Sequence, residues 1–200
     1  MFIQDLREQT SQAHSEAEQT EFMKQLFSGS LPLESYAKYL LALRSVYSTM
    51  EDRIRLYRDS KIISAIFDPR LERFKQISAD IKSLTSERIL PKAVIDIVRE
   101  YVYLIKQANE VELAAHHYIR YLGDLSGGQA IKKILERSYG LSESQTNFYN
   151  FDIDPKQYRD SYKEALNMII VTDEQKMEFA NTVSKVYNIT TKMLNAIMAS

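Results

Sequence analysis

The chain contains 200 residues, of which 44% are hydrophobic and 26% are charged, a composition typical of a soluble globular domain. Its formal net charge of -1 argues against a nucleic-acid partner, and the absence of cysteine excludes disulfides, thiolate metal ligands and a cysteine nucleophile. The N-terminal MFIQDLREQ lacks the pattern of a signal peptide, and no apolar run approaches the ~20 residues that span a bilayer. We therefore expect a soluble, cytoplasmic protein without a membrane anchor.

Helical periodicity dominates the N-terminal half of the sequence. Apolar residues at steps of three and four predict an amphipathic helix over residues 2–19 and a long helix over residues 33–57. Between them, a short helical segment ends at Gly29, the residue type that most often closes a helix. An Asp-Pro pair at Asp68 predicts the start of a further helix, which continues to Leu84.

The C-terminal half carries similar signals and contains no β-alternation, repeat or linker. A helix with an apolar stripe ends at a break near Asn109. Capping-box patterns at Ser142 and Thr172 and an Asp-Pro pair at Asp154 predict three more helix starts, and the aromatic segment NFYNFDIDP predicts a loop. We expect one all-α domain over residues 1–200, with eight or nine helices.

Glycine is concentrated in the segment EVELAAHHYIRYLGDLSGGQAIKKILERSY, which contains Gly123, Gly127 and Gly128, three of only 5 glycines in the chain. Each glycine inside a helix costs ~1 kcal/mol relative to alanine, which a fold tolerates where a backbone kinks or lies close to something flat. Gly123 and Gly127 are four residues apart and share one bare face. Arg120 and Asp124 have the same spacing and can pair or hold water. The simpler alternative is a break between two helices with glycine caps.

The string HHYIRYLGDLSGGQ within this segment closely resembles the distal-helix signature of the haem oxygenase family. The match is long and ungapped, and it mixes charged, aromatic and glycine positions. The resemblance implies a single compact multi-helix domain that binds haem (heme b) as both substrate and prosthetic group. It also implies cleavage of the ring at a meso carbon to biliverdin, carbon monoxide and ferrous iron. Dioxygen and electrons from a ferredoxin or flavoprotein reductase would be required.

Three histidines could ligate iron: His14, His116 and His117. A histidine on an apolar helix face more often belongs to the core. His14, however, has Glu18 four residues on, and a carboxylate at one ring nitrogen fixes the tautomer that offers the other nitrogen to a metal. The surrounding AHSEAEQTEFM resembles the proximal helix of haem oxygenases. The resemblance therefore implies that His14 is the axial ligand and Glu18 its partner.

Haem propionates need cations at the edge of the pocket. In the family, these come from the first helix and from a helix near the C-terminal end, which the segment QYRDSYKEALNM resembles. The resemblance assigns this role to Arg7, Arg159 and Lys163. A second family cation on the first helix falls at Ser11, so that contact is expected to be missing.

On the distal side, the family delivers protons through water molecules held by an aspartate, an arginine and a tyrosine. The matching residues are Asp124, Arg120 and Tyr47, and Arg120 is expected to help keep the Asp124 carboxylate ionised by lowering its pKa. A family asparagine is replaced by Thr190. The remaining positions expected to border the porphyrin are Gly123, Gly127, Gly128, Tyr118 and Tyr187.

Three alternatives remain open. A haem carrier or sensor could use the same fold without catalysis, although the intact Arg120, Asp124 and glycine set favours an enzyme. An all-α interaction module would bind no haem. A di-iron bundle would require a Glu-x-x-His motif on two helices, and no glutamate precedes any histidine by three residues.

Overall fold

Ten α-helices make up most of the chain in the computed structural model, which describes residues 2–84 and 89–200. Four short 3₁₀ turns connect them, and no strand is present within these two ranges. The helices are α1 Phe2–Gln9, α2 Ser11–Glu18, α3 Glu21–Ser28, α4 Leu33–Leu56, α5 Phe74–Leu84, α6 Lys92–Gln107, α7 Glu110–Asp124, α8 Gly127–Tyr139, α9 Pro155–Ile169 and α10 Asp173–Met198.

The predicted helix over residues 2–19 is wrong in one respect, because it is broken at Thr10. The backbone there has φ -104° and ψ 4°, and the threonine hydroxyl donates to the carbonyl of Leu6 at 2.8 Å. The hydroxyl of Ser11 likewise donates to Glu8 at 2.8 Å. Short hydroxyl side chains offer a helix carbonyl an alternative partner and often bend the helix. The break separates α1 from α2 and contributes to a count higher than the predicted eight or nine.

Local end signals were good predictors elsewhere. Gly29 closes α3 in the left-handed conformation, with φ 74°. Capping boxes at Asn109 and Thr172 open α7 and α10, and the side chain of Asp154 caps α9. Ser142 also forms its predicted capping box, but it opens only a 3₁₀ turn of three residues.

The predicted start at Asp68 is only partly right. Its side chain caps a single 3₁₀ turn, Pro69–Leu71, and α5 begins later, at Phe74. The α5 terminus is instead capped from α4, where the Glu51 carboxylate accepts hydrogen bonds from the backbone N–H groups of Arg73 at 2.6 Å and Phe74 at 3.0 Å. A capping carboxylate that comes from a distant helix leaves no signal in the local sequence, so the true start of α5 was not predicted.

The helices α4, α6, α7 and α10 form the centre of the core. α10 packs against α7, α6 and α2, while α4 packs against α6 and α5. Every residue from 113 to 122 of α7 is buried, as expected of a helix surrounded by others. None of the described helices has the length and apolar character that a bilayer crossing requires. The last turn of α7 leaves the core at Gly123, where it borders a cleft.

Candidate functional site

A cleft lies between α2 on one side and the junction of α7 and α8 on the other. It has two chambers: the one here called the outer chamber has a volume of about 500 Å³, and the one here called the inner chamber has a volume of about 180 Å³. Together they are within the usual size range for small-molecule sites. Both chambers are bordered by His14, Glu18, Ile119, Gly123, Gly127 and Tyr187. A separate groove of about 630 Å³ between α4 and α6 contains none of the predicted site residues. The cleft is therefore the candidate site.

His14 projects into the cleft from α2. Its side chain is half-exposed, and Nδ1 lies 3.5 Å from the carboxylate of Glu18. The imidazole also packs edge-on against the ring of Tyr187, with centroids 5.3 Å apart. Because Nδ1 faces the carboxylate, Nε2 is the nitrogen left to meet a ligand.

The other two histidines are core residues. His116 is 2% exposed and His117 is 1% exposed, and Nδ1 of His117 is hydrogen-bonded to the hydroxyl of Tyr162 at 2.6 Å. Burial lowers the pKa of each to about 3, so both are neutral at physiological pH. Neither borders the two chambers. Across residues 2–84 and 89–200, no three His, Cys, Asp or Glu side chains converge in a metal-binding group, so nothing there supports the di-iron alternative.

The glycine wall opposite His14 has two different parts. A Cβ atom added at Gly123 or Gly127 would meet no other atom within 4 Å, so both positions open onto the cleft. A Cβ at Gly128 would lie 2.8 Å from Cδ1 of Tyr149, so glycine is needed there for packing. Two bare backbone positions facing one imidazole leave space for a flat macrocycle, and the residues present therefore fit haem.

The predicted polar residues meet behind this wall. The hydroxyl of Tyr47, on α4, donates to Oδ2 of Asp124 at 2.5 Å. Arg120 does not pair with Asp124, because its Nη2 donates to Oγ1 of Thr190 at 2.7 Å. The Nε atom of Arg120 is buried and has no hydrogen-bond partner among the described residues. The three predicted side chains are thus close together but belong to two separate hydrogen bonds.

The protonation of Asp124 differs from the prediction. Arg120 lowers the pKa of this carboxyl group, as expected, and so do the Tyr47 hydrogen bond and Arg73. Burial outweighs all three effects and raises the pKa from its usual 3.8 to about 7. Asp124 is therefore a mixture of protonated and ionised forms near neutral pH, which suits a group that both donates and accepts protons.

The predicted cations lie at different distances from the cleft. Arg7 of α1 and Lys163 of α9 border the outer chamber, together with Tyr118. Arg159 borders neither chamber, because its Nη1 donates to Oγ of Ser126 at 2.9 Å, at the α7–α8 junction. Ser11, the position where a second cation was expected to be missing, also borders the outer chamber.

Sequence reasoning identified the polar and glycine residues of the inner chamber but missed most of its apolar and aromatic lining. The missed side chains are Ala17, Met23, Phe27, Tyr39, Ile119, Ile131, Tyr149 and Leu194. Tyr149 belongs to the segment predicted as a loop, yet it is buried. The high aromatic content of NFYNF was a signal that this loop contributes to the core.

Comparisons with known proteins agree on one family. A family model described as "Heme oxygenase" matches residues 1–196. A relative named "Heme oxygenase" from Guillardia theta is 34% identical over 204 residues, covering 98% of this chain and 85% of the relative. The crystal structure of heme oxygenase-1 from Synechocystis sp. PCC6803 in complex with heme superposes with a TM-score of 0.88 at 31% identity, covering 97% of this chain and 90% of that chain. For heme oxygenase-2 from the same organism, in complex with heme and NO, the TM-score is 0.90 at 30% identity, covering 99% and 85%.

Proposed function

Since this chain belongs to the haem oxygenase family, we propose that its cleft binds haem between His14 and the glycine wall and that its own side chains direct the reaction. The protein is an oxidoreductase that cleaves the haem ring at a meso carbon, giving biliverdin, carbon monoxide and ferrous iron. Haem, once bound, supplies an iron centre that takes up electrons and activates dioxygen, and its own ring is the substrate. We propose that the electrons come from a ferredoxin or a flavoprotein reductase.

One observation carries the assignment of the site. The imidazole of His14 and the bare backbone at Gly123 and Gly127 border the same two chambers. His14 would hold the haem iron through Nε2, and Glu18, 3.5 Å from Nδ1, would fix the orientation of the imidazole. The glycines let the distal backbone approach the macrocycle closely and leave room for dioxygen beside it. Gly128, Tyr118 and Tyr187 complete the lining.

Asp124 is the proposed proton-transfer residue. Its pKa of about 7 lets the carboxyl group take up and release a proton near neutral pH, and Tyr47 fixes its orientation through Oδ2. Arg120 is oriented by Thr190, so its buried Nε is free to hold water. We propose that ordered water between Arg120 and Asp124 delivers protons to the reacting oxygen.

Arg7 and Lys163 hold the propionates at the mouth of the outer chamber. Arg159 joins them only after it exchanges the Ser126 hydroxyl for a carboxylate, a stronger partner for a guanidinium. We further propose that residues 1–200 act as one haem oxygenase domain in the cytoplasm.

The test is to load the purified protein with haem, supply dioxygen and an electron source, and identify the product. We expect the native protein to form a green bile pigment. His14→Ala should hold haem loosely and be inactive, and added imidazole should partly restore both the Soret spectrum and turnover, because it replaces the lost nitrogen ligand.

His116→Ala and His117→Ala are the control variants. Both should keep the axial-ligand spectrum of the native complex, since neither side chain borders the cleft. A native spectrum in His14→Ala, or its loss in either control, would show that His14 is not the ligand.

A further inference from the structure

The segment of residues 147–151, here called the brace segment, crosses the junction between α7 and α8. The ring of Tyr149 packs so closely on Gly128 that a Cβ there would lie 2.8 Å from it. The carbonyl of Tyr149 accepts a hydrogen bond from Nε2 of Gln129 at 3.0 Å, and the same amide donates to the carbonyl of Asp124 at 3.3 Å. The brace segment therefore contacts the beginning of α8 and is linked to the end of α7 through the side chain of Gln129.

A buried carboxylate holds the N-terminal end of the brace segment. Asp80, on α5, is 0% exposed. Its oxygens accept from the backbone N–H groups of Asn147 at 2.9 Å and Phe148 at 2.8 Å, and from the side-chain amide of Asn147 at 2.8 Å. Three donors from two adjacent residues fix the position of this end relative to α5.

A buried guanidinium holds the other end. Arg73, which directly precedes α5, is 3% exposed, and its Nη1 donates to the carbonyl of Asn150 at 2.5 Å. Its guanidinium carbon lies 3.9 Å from the centroid of the Phe151 ring, in cation–π contact. The backbone N–H of Arg73 is in turn bonded to Glu51 of α4. Both ends of the brace segment are thus fixed by charged side chains from α5 and the residue directly before it.

Asp80 and Arg73 are each hydrogen-bonded to the brace segment and do not form an ion pair with each other. Burying an ionised side chain is costly unless hydrogen bonds compensate for the lost water. For Asp80 these bonds come from Asn147 and Phe148. Arg73 donates to the carbonyl of Asn150 and also to the carbonyls of residues 70–72 that precede it in the chain. Neither Asp80 nor Arg73 borders the cleft. Between the two clamps, Phe148 packs edge-on against Tyr47, with centroids 5.5 Å apart. The brace segment therefore contacts Tyr47 directly and is linked to the backbone of Asp124 through the side chain of Gln129.

We propose that Asp80 and Arg73 are positioning residues, which clamp the brace segment against the α7–α8 junction and so hold Asp124 packed against Tyr47 and shielded from water. The proposal rests on the proposed role of Asp124 in proton transfer. It extends that role to two charges that touch neither haem nor the reacting oxygen, and it assigns the aromatic loop a function in the active site.

The test measures the titration of Asp124 in the haem-free protein. A protonated carboxyl group is detected by its infrared carbonyl band, and Asp124→Asn serves as the blank. In the native protein Asp124 faces Tyr47, Arg120 and Arg73, and burial is the largest effect on its pKa. Asp80 is the better residue to change because, unlike Arg73, it is not among the charges that shift this pKa directly. In Asp80→Asn, water should reach Asp124 and its pKa should fall by about one unit or more, a tenfold change in the proton-binding constant.

Val94→Ala, in the buried face of α6, is the matched control for loss of stability alone. It should lower the unfolding free energy and leave the Asp124 titration unchanged. An unchanged titration in a folded Asp80→Asn protein would overturn the proposal and leave Asp80 as an ordinary loop anchor.

A second pair of variants keeps the test decisive if Asp80→Asn does not fold. Gly128→Ala should push Tyr149 away and lower the pKa of Asp124, and adding Tyr149→Leu should restore part of the native value by removing the clash. A native pKa of Asp124 in Gly128→Ala would contradict the proposed role of the brace segment. Because these measurements use haem-free protein, their outcome is independent of whether the haem complex forms biliverdin.

Discussion

At the residue scale, Asp124 combines two opposing influences. Burial favours its neutral form, whereas Tyr47, Arg120 and Arg73 favour the carboxylate. The balance leaves the pKa at about 7 in the folded protein, against 3.8 for an exposed aspartate. Between these two values the folded state binds more protons at this site than the unfolded state does. The contribution of Asp124 to the unfolding free energy therefore decreases as the pH rises from about 4 to about 7.

This sign leads to the first prediction. Asp124→Asn cannot ionise at this position, so it lacks the decrease in unfolding free energy that the native protein shows as the pH rises. The unfolding free energy of the variant minus that of the native protein should therefore increase between pH 4 and pH 8. The increase should exceed ~1 kcal/mol, since each pKa unit corresponds to ~1.4 kcal/mol. Urea denaturation of both haem-free proteins at several pH values measures the difference. A difference that stays constant with pH would mean that Asp124 has an ordinary pKa.

The position of Asp124 could be predicted from the sequence, but its chemistry could not. The spacing from Arg120 and the HHYIRYLGDLSGGQ string placed it at the end of a helix facing the cleft. The Tyr47 contact joins residues 77 apart in the chain, and the raised pKa depends on burial by several helices. Neither effect is encoded in local residue pattern.

At the scale of elements, the α7–α8 junction contains two adjacent glycines with opposite surroundings. Gly127 faces open space, while Gly128 faces the ring of Tyr149. In the second prediction, Gly127→Ala should leave the unfolding free energy of the haem-free protein unchanged or raise it by up to ~1 kcal/mol, because alanine favours helix. Its haem affinity and turnover should fall, because the methyl group enters the cleft. Denaturation and haem titration measure the two effects.

Gly128→Ala is the matched comparison for that experiment. It should destabilise the haem-free protein by ~1–3 kcal/mol, as overpacking does. If Gly127→Ala binds and degrades haem normally, the glycines mark only a break between two helices. The proposal that the bare backbone makes room for haem would then be wrong.

The third prediction concerns α9. Replacing Lys163 with alanine should weaken haem binding roughly 10–100-fold, because a charge-assisted hydrogen bond contributes ~1.5–3 kcal/mol. The double change of Lys163 and Arg159 should also alter the ratio of biliverdin isomers, because the propionate contacts set the rotation of haem in its plane. Isomer analysis by chromatography measures this ratio.

Lys156→Ala is the control for α9, since Lys156 is exposed on the same helix and borders neither chamber. It should leave affinity and isomers unchanged. Equal effects in Lys156→Ala and the double variant would indicate a general influence of surface charge instead of propionate contacts.

How well each element could be predicted depended on where its signal lies. Gly29, Asn109 and Thr172 act on their own helix ends, and the predicted boundaries there are confirmed. The start of α5 depends on Glu51 from another helix, and no local pattern carries it. The inner chamber is likewise assembled from six helices and a loop, so its lining could not be derived from any one of them.

At the scale of the whole molecule, haem binding should connect parts of the chain that are distant in sequence. The two chambers of the cleft are bordered by residues of α1, α2, α3, α4, α7, α8, α9 and α10. In the fourth prediction, haem at 100 times its dissociation constant should stabilise the fold by ~2.7 kcal/mol. For a chain of this length that corresponds to a rise in Tm of about 5–10 °C. Differential scanning calorimetry measures the rise.

His14→Ala is the informative comparison for the melting experiment. Without haem its Tm should match that of the native protein, because the half-exposed imidazole contributes little to the core. With haem, its Tm should rise by less at the same concentration. Equal rises in the two proteins would mean that His14 contributes nothing to affinity.

The central position of α10 also constrains how the protein is made. This helix packs against α7, α2 and α6, and it supplies Tyr187, Thr190 and Leu194 to the wall of the cleft. During synthesis, His14 leaves the ribosome early, but α10 follows only after the nine other described helices. Until then α7 lacks a principal packing partner and the cleft lacks one of its walls. We therefore expect a growing chain not to capture haem before α10 is made, so ribosome-bound chains truncated before α10 should not acquire the spectrum of the loaded protein.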